Sequence, residues 1–193
     1  PPLPPLPPLP PLPPLPLIPV DRARPSSLVV IRRAGIDLAF VCMVSLYGFR
    51  TKLKRMQTSA SDNNKKKVLR GWHDPELTEQ GIHIAHELKE ELYGTKFDMV
   101  YSSPLKRAFS TAKILIDDQE IIVDDRLKER SYGDWSAKNK EDVKLSEGEA
   151  SYYAARRGWE TSPPNGESLK DVSLRVDPFL KQLPDHGNIL VVS

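Results

Sequence analysis

The sequence has few of the features that build disulfides and membrane spans. Cys42 is its one cysteine, so no disulfide forms within the chain, which fits a reducing compartment. The apolar run from Ile36 to Phe49 includes Asp37 and is shorter than a transmembrane helix, which needs about 20 residues. The run also lies too far from the N-terminus for a simple signal peptide. We therefore expect a cytoplasmic protein with no membrane partner; organelle import through an Arg-rich leader is the alternative.

Histidine is also scarce, with four in the chain and none before His73. His83 and His86 fall on one predicted helix, but the sequence suggests no cysteine or carboxylate partners at metal-site spacing. We expect no metal site. The string H-G-N at 186–188 precedes a predicted strand, at its amino end, and we interpret it as a turn.

The N-terminal part differs in composition from the rest. Its first nineteen residues consist mainly of P-P-L repeats, and proline favours an extended polyproline II rod because it fixes φ and lacks an N–H. Between Arg22 and Arg70 there are twelve Lys or Arg and two Asp, a net +10 in a chain of net +2, so the remainder carries −8. We predict a proline-rich tail (1–20), a basic leader of little order (21–56) and a partial globular domain (57–193). The tail could bind SH3-like or WW-like domains, and we expect no nucleic-acid partner.

Helical and strand patterns alternate after the leader. Thr78 is predicted to cap a helix that Gly94 stops, and the pair Ser103-Pro104 to start another. Strands are predicted at 97–101, 121–123 and 189–192, with helices near 140–156 and 168–183. This alternation predicts an α/β fold with helices on both faces of a mostly parallel sheet.

Three strings between Arg70 and Gly133 stand out: R-G-W-H-D-P-E-L-T-E-Q-G, Y-S-S-P-L-K-R-A-F-S-T-A and L-K-E-R-S-Y-G. In the second, Lys106 and Arg107 follow a predicted strand, at the sheet edge where α/β active sites form. Free amides at a helix N-terminus and a nearby guanidinium together suit a phosphate group. On spacing alone, solvated surface charges are the commoner outcome.

Two further sets of residues can be interpreted either as functional or as ordinary surface charges. The carboxyl group of Glu129 could act as a general acid and base, although a Glu-Arg dipeptide is more often a surface ion pair. Lys140 with Arg156 and Arg157 could clamp a small polyanion, although such charges more often lie on a solvated helix face.

Together the strings resemble the cofactor-dependent phosphoglycerate mutases, the mutase branch of the histidine phosphatases. The resemblance continues through G-D-W-S-A-K-N-K-E-D, P-P-N-G-E-S-L and R-V-D-P-F, and covers residues 64–193. It implies a phosphoglycerate mutase-like fold and the glycolytic interconversion of 3-phosphoglycerate and 2-phosphoglycerate through a phosphohistidine. It also implies 2,3-bisphosphoglycerate as the phosphoryl primer, with no metal.

The resemblance assigns roles to individual residues. It implies that Arg107 binds the transferred phosphoryl group and that Glu129 is the proton donor. The substrate-binding residues that it implies are Asn64, Arg70, Gly71, Tyr132, Lys140, Arg156 and Arg157.

The family's nucleophile is a histidine in an R-H-G string, which this sequence lacks. Three alignments place Thr58, Arg55 or Arg33 at its position, the last if 28–32 is the family's first strand. None of these side chains can replace a neutral imidazole as the phosphoryl acceptor. The family's second histidine, in an H-G-N string after a strand like 189–192, would follow Ser193, where the chain stops. We therefore interpret the domain as truncated and incomplete at both ends.

Functions of different classes remain open. The first is a phosphoglycerate mutase family member whose activity is impaired in this chain. The alternatives are a non-catalytic fragment or pseudoenzyme that binds small phosphorylated anions, and a phosphatase of the same superfamily, against which Lys140, Arg156 and Arg157 weigh. The partners expected are a small phosphorylated substrate and further copies of this chain.

Overall fold

A computed structural model describes residues 68–184 and 186–193 in full, and 27–33 and 50–56 as backbone strands. The proline-rich tail and the predicted site residue Asn64 lie outside the described residues. Two strands fall within 21–56, a segment in which the sequence predicted little order. No helix in the described part has the length and apolar character needed to cross a membrane.

The described strands form a parallel five-stranded sheet in the order β2-β1-β5-β3-β4. Their bounds are Ser27–Arg33 for β1, Arg50–Met56 for β2, Met99–Ser102 for β3, Ile122–Val123 for β4 and Asn188–Val192 for β5. Val192 has Ile31 on one side and Ser102 on the other. Because the strands are parallel, their carboxyl ends meet at one edge, and the predicted α/β sheet is confirmed.

The described part of the chain has five α-helices, at Glu79–Glu91 (α1), Lys106–Leu115 (α2), Lys140–Glu147 (α3), Glu149–Arg157 (α4) and Leu169–Gln182 (α5). Short 3-10 helices lie at Asp125–Leu127 and Gly133–Trp135. The predicted cap of α1 is confirmed, since the Thr78 hydroxyl accepts from the Gly81 amide at 3.2 Å. The single helix predicted near 140–156 is wrong. Gly148 divides it at φ +82°, a conformation that glycine adopts readily.

The strand β5 connects the two faces of the core. Ile189 and Val191 pack in a cluster with residues of α5, whereas Leu190 and Val192 pack in a second cluster with residues of α1 and α2. This alternation follows from the two-residue period of a strand. All four side chains are at most 2% exposed, and burying each is worth about 1.5–3 kcal/mol. Helices therefore cover both faces of the sheet, as predicted.

A third cluster supports the loops beside the carboxyl edge. Trp135 stacks on Tyr152 at 5.9 Å between ring centroids, and both pack with Leu69 and Val143. An antiparallel bridge between Val68 and Asn139 closes this cluster on one side. Val68 and Leu69, which precede Arg70, are thereby held against residues of α3 and α4.

A capping box starts α5. The Ser168 hydroxyl accepts from the Asp171 amide at 3.1 Å, and the Asp171 carboxylate accepts from the Ser168 amide at 2.8 Å. The hydrogen bond from the Ser168 side chain to this carboxylate is the main cause that lowers the pKa of Asp171 below its ordinary 3.8. The ionised form of Asp171 is therefore the one that stabilises the fold.

We expect Asp171→Asn to destabilise the chain at pH 7 by about 1 kcal/mol, the usual effect of losing a cap. Because the folded pKa is depressed, the wild-type advantage is full above the unfolded pKa near 4. It disappears as the pH falls through the folded pKa. Urea unfolding at pH 7 and pH 3 measures the difference. The matched control is Asp118→Asn, at an exposed carboxylate, and an equal destabilisation of Asp171→Asn at both pH values would contradict the expectation.

Gly133 and Gly94 form a matched pair for testing how tightly the loop after Tyr132 packs. Both have a positive φ, +50° and +78°, but a Cβ on Gly133 would overlap the Pro164 carbonyl oxygen, whereas nothing lies within 4 Å of a Cβ on Gly94. We expect Gly94→Ala to cost about 1–2 kcal/mol from backbone strain and Gly133→Ala about 1–3 kcal/mol more from the overlap. Denaturant unfolding of the two variants checks this, and equal costs would count against the described packing.

Candidate functional site

Arg107 is the centre of the candidate site. It lies in the first turn of α2 and is only 8% exposed. Its Nη1 donates to the His73 carbonyl at 3.0 Å, and its Nη2 donates to the Gly71 carbonyl at 3.0 Å and to Glu129 Oε2 at 3.2 Å. The structure thus brings the two predicted catalytic residues, Arg107 and Glu129, into direct contact.

Gly71 allows the loop that holds Arg107 to approach the loop after Glu129. It has φ +52°, and a Cβ at this position would lie 2.8 Å from the Tyr132 amide nitrogen and 3.2 Å from the Arg130 carbonyl oxygen. A side chain would push the two loops apart. Gly71 and Tyr132, both predicted to bind substrate, are therefore neighbours through their backbones.

Two side chains hold the backbone of Glu129 in place. Its carbonyl oxygen accepts from Trp72 Nε1 at 2.7 Å and from Arg175 Nη2 at 3.2 Å. Arg175 in turn forms an ion pair with Glu167 at 2.7 Å, and Glu167 accepts from the Ser131 amide at 2.8 Å. The Glu129 side chain is 11% exposed. Its position next to Arg107 is therefore fixed by the surrounding chain.

The other predicted basic residues lie on different elements of the fold. Arg70 is 4% exposed and directly precedes Gly71. Lys140 begins α3, next to the bridge residue Asn139. Arg156 and Arg157 end α4 and lie beside tyrosines. Arg156 Nη1 is 3.4 Å from the Tyr152 hydroxyl, and the exposed Arg157 lies 4.9 Å from the Tyr153 ring centroid.

The N-terminus of α2 differs from the prediction of free amides for phosphate. The Lys106 amide donates to both carboxylate oxygens of Asp74, at 2.8 and 3.0 Å, so an internal anion already occupies that position. Lys106 Nζ binds the Glu76 carboxylate at 2.8 Å, and this hydrogen bond raises the pKa of Lys106. Lys106 is thus a surface charge, which leaves Arg107 as the candidate phosphate ligand of this helix.

The plain interpretation of the Glu129-Arg130 dipeptide as a surface ion pair is wrong. Glu129 pairs with Arg107, and Arg130 is 2% exposed with its guanidinium bonded to backbone carbonyls. Side chains that the sequence prediction missed as parts of the site are Trp72, Asp74, Arg130, Glu167 and Arg175. Each lies within a string that carries the family resemblance, and this position in the sequence could have identified it as part of the site.

The site lies at the carboxyl edge of the sheet, as predicted. The Ser103 amide, directly after β3, donates to the Val192 carbonyl of β5 at 2.9 Å. β1 ends at Arg33 on the same edge. Among the residues described, no group of three or more His, Cys, Asp or Glu side chains is arranged to hold a metal ion.

Residues 58–193 match the histidine phosphatase superfamily (branch 1). The chain belongs to the histidine phosphatase superfamily. Its relatives include the 2,3-bisphosphoglycerate-dependent phosphoglycerate mutase of Rhizobium etli (strain CIAT 652), 44% identical over 126 residues, which are 62% of this chain and 60% of that protein. The protein of the same description from Methylorubrum populi is 41% identical over 129 residues, 63% of this chain and 61% of that protein. The chain therefore spans about 60% of the length of these curated relatives.

Solved histidine phosphatase structures share the fold. A putative alpha-ribazole-5'-P phosphatase from Escherichia coli K-12 has a TM-score of 0.61 and 33% identity, covering 68% of each chain. A mycobacterial glucosyl-3-phosphoglycerate phosphatase in complex with VO3 has a TM-score of 0.63 and 29% identity, covering 69% of this chain and 70% of that one. The predicted phosphoglycerate mutase-like fold is thereby confirmed.

Inorganic phosphate is the simplest probe of the Arg107 site. We expect Arg107→Lys to weaken its binding by about 10- to 100-fold, since lysine cannot reproduce the guanidinium fork and a hydrogen bond to a charged group is worth about 1.5–3 kcal/mol. Lys106→Gln, at the neighbouring residue paired with Glu76, should change the affinity less than about twofold. Titration calorimetry on the folded variants measures both, and equal losses would argue against Arg107 as the phosphate ligand.

Proposed function

We propose that this chain is a phosphoglycerate mutase-type protein whose site binds 3-phosphoglycerate and 2-phosphoglycerate. The observation that carries the proposal is the contact of Arg107 with Glu129, 3.2 Å apart and almost buried, at the carboxyl edge of the sheet. The phosphoglycerate mutases of Rhizobium etli and Methylorubrum populi support the mutase assignment. A cytoplasmic place in glycolysis belongs to the same proposal.

Different side chains would bind different groups of the ligand. Arg107 would hold the phosphoryl group, because its guanidinium already lies in a cradle of two carbonyls that can keep it in place. Glu129 would then lie beside the ester oxygen, where a carboxyl group can give and take the proton. Lys140, Arg156 and Arg157 would hold the carboxylate end of the substrate. 2,3-Bisphosphoglycerate would supply the primer phosphoryl group, and the same cationic side chains suit its two phosphates.

Whether this chain converts its ligand depends on which residue lies at the nucleophile position. The family match begins at residue 58, but β1 ends at Arg33 and pairs with β5, whereas β2 is an edge strand. We therefore place Arg33, rather than Thr58 or Arg55, at the histidine position. A guanidinium stays protonated and cannot accept a phosphoryl group as a neutral imidazole does. We therefore propose that the chain binds phosphoglycerates while its mutase activity is low.

Two other activities compete with this one. The solved neighbours described above are phosphatases, which favours ester hydrolysis as the second candidate. The third candidate is a non-catalytic binder of small phosphorylated anions, which corresponds to an impaired mutase with no remaining activity. Release of inorganic phosphate from 3-phosphoglycerate would indicate the phosphatase, and tight binding without either reaction would indicate the binder.

Substitution of Arg33 tests the proposal directly. The unsubstituted chain, supplied with 3-phosphoglycerate and 2,3-bisphosphoglycerate, should give little 2-phosphoglycerate, since loss of a nucleophile lowers turnover by about 10⁶-fold in a well-studied hydrolase. Arg33→His should gain an acid-labile phosphohistidine when incubated with labelled 2,3-bisphosphoglycerate. Arg33→Gln, which removes the charge without adding an imidazole, should not.

The Rhizobium etli relative serves as the active control in the same assay. A turnover by the unsubstituted chain that equals the control would refute the impairment. If the unsubstituted chain becomes phosphorylated, His73 is the residue to replace next, because its carbonyl contacts Arg107. Absence of phosphoglycerate binding would refute the assignment of the site.

A further inference from the structure

Arg130 is among the largest fully buried side chains in the described part of the chain, and its guanidinium meets backbone carbonyls from two distant segments. Its Nε donates to the Glu167 carbonyl at 2.6 Å and its Nη1 to the Arg156 carbonyl at 2.9 Å, while its Nη2 donates to the Ala155 carbonyl. At 2% exposure, Arg130 does not reach a ligand from the surface. Its contacts therefore act on the protein itself.

Two of these carbonyls belong to the last turn of α4. The final carbonyls of a helix lack partners within the helix, and a positive charge there interacts favourably with the helix dipole. Arg130 supplies both the donors and the charge from 25 or 26 residues away in the sequence. The end of α4, which carries Arg156 and Arg157, is thereby attached to the residue that follows Glu129.

The same guanidinium also lies against the other parts of the site. Its carbon is 5.7 Å from the Tyr132 ring centroid, and its Nε holds the Glu167 carbonyl just before α5. One side chain thus sets the relative positions of the proton-donating carboxyl, the tyrosine and the arginine pair.

We propose that Arg130 is a positioning residue that gives the site its selectivity for a phosphorylated carboxylate over free phosphate. It does so by fixing the end of α4, so that Arg156 and Arg157 stand at the correct distance from Arg107 and Glu129 for the second anionic group of the ligand. The inference rests on the proposed binding of phosphoglycerates. Inorganic phosphate requires only the Arg107 end of the site.

Lysine cannot replace Arg130 in these three contacts. The guanidinium reaches three carbonyls in its plane through a fixed fork, whereas an ammonium group has no such geometry and is more strongly hydrated. Arg130→Lys keeps the charge and most of the volume, so it changes the geometry of the attachment with the smallest loss of packing. Arg126→Lys is the matched control, because the Arg126 guanidinium binds Asp124 and Gln182, away from α4.

The test compares two affinities in each variant of the full chain, for 3-phosphoglycerate and for inorganic phosphate, by titration calorimetry. Within each variant, the ratio of the two affinities does not depend on the fraction of the protein that is folded. We expect Arg130→Lys to reduce the 3-phosphoglycerate affinity by about tenfold, or about 1.4 kcal/mol, with the phosphate affinity unchanged. Arg126→Lys should leave the ratio as in the unsubstituted chain. Hydrogen exchange of the α4 amides should rise in Arg130→Lys alone.

The outcomes separate the inference from the proposed function. If the unsubstituted chain prefers 3-phosphoglycerate and Arg130→Lys keeps that preference, the inference is overturned while the proposed function stands. An equal loss for both anions would give Arg130 a merely structural role and also overturn the inference. If the unsubstituted chain shows no preference, the proposed function fails and removes the inference with it.

Discussion

A buried guanidinium is tolerated only when its donors find acceptors, because the cost of removing the charge from water is large. Arg107, Arg130 and the partly buried Arg175 meet that requirement in part with backbone carbonyls, and Arg175 also pairs with the Glu167 carboxylate. Arg107 uses the carbonyls of Gly71 and His73, Arg130 uses those at the end of α4 and before α5, and Arg175 uses those of Arg126 and Glu129. The loops around the site have their shape because these carbonyls must face inward.

This arrangement has an electrostatic consequence. Carbonyl oxygens orient a guanidinium and satisfy its donors without cancelling its charge, as a full set of carboxylates would. Arg107 has Glu129 at 3.2 Å and Asp74 at 3.7 Å, and Asp74 also binds the α2 amide. The Arg107 guanidinium is therefore held in place by two carbonyls while it also pairs with Glu129 and lies close to Asp74.

Much of the fold follows from local patterns in the sequence, and much of the site does not. Thr78 and the Ser103-Pro104 pair give the starts of α1 and α2 to within a few residues, because capping depends on neighbouring residues. The hydrogen bond from Lys106 to Asp74 spans 32 residues and that from Arg130 to Ala155 spans 25, and no local period encodes either. Resemblance indicated Arg107 and Glu129, but the role of Arg130 required the packed structure.

The position of β5 bears on how the protein forms during synthesis. The strand lies between β1 and β3, and its register pairs Ser27 with Asn188. Until β5 has left the ribosome, β1 and β3 each present an unpaired edge towards the strand that is to join them. Such edges can pair with other chains, and contacts of this sequence separation form slowly. The nascent chain therefore passes through an interval in which the centre of its sheet is vacant and chaperone binding would be most useful.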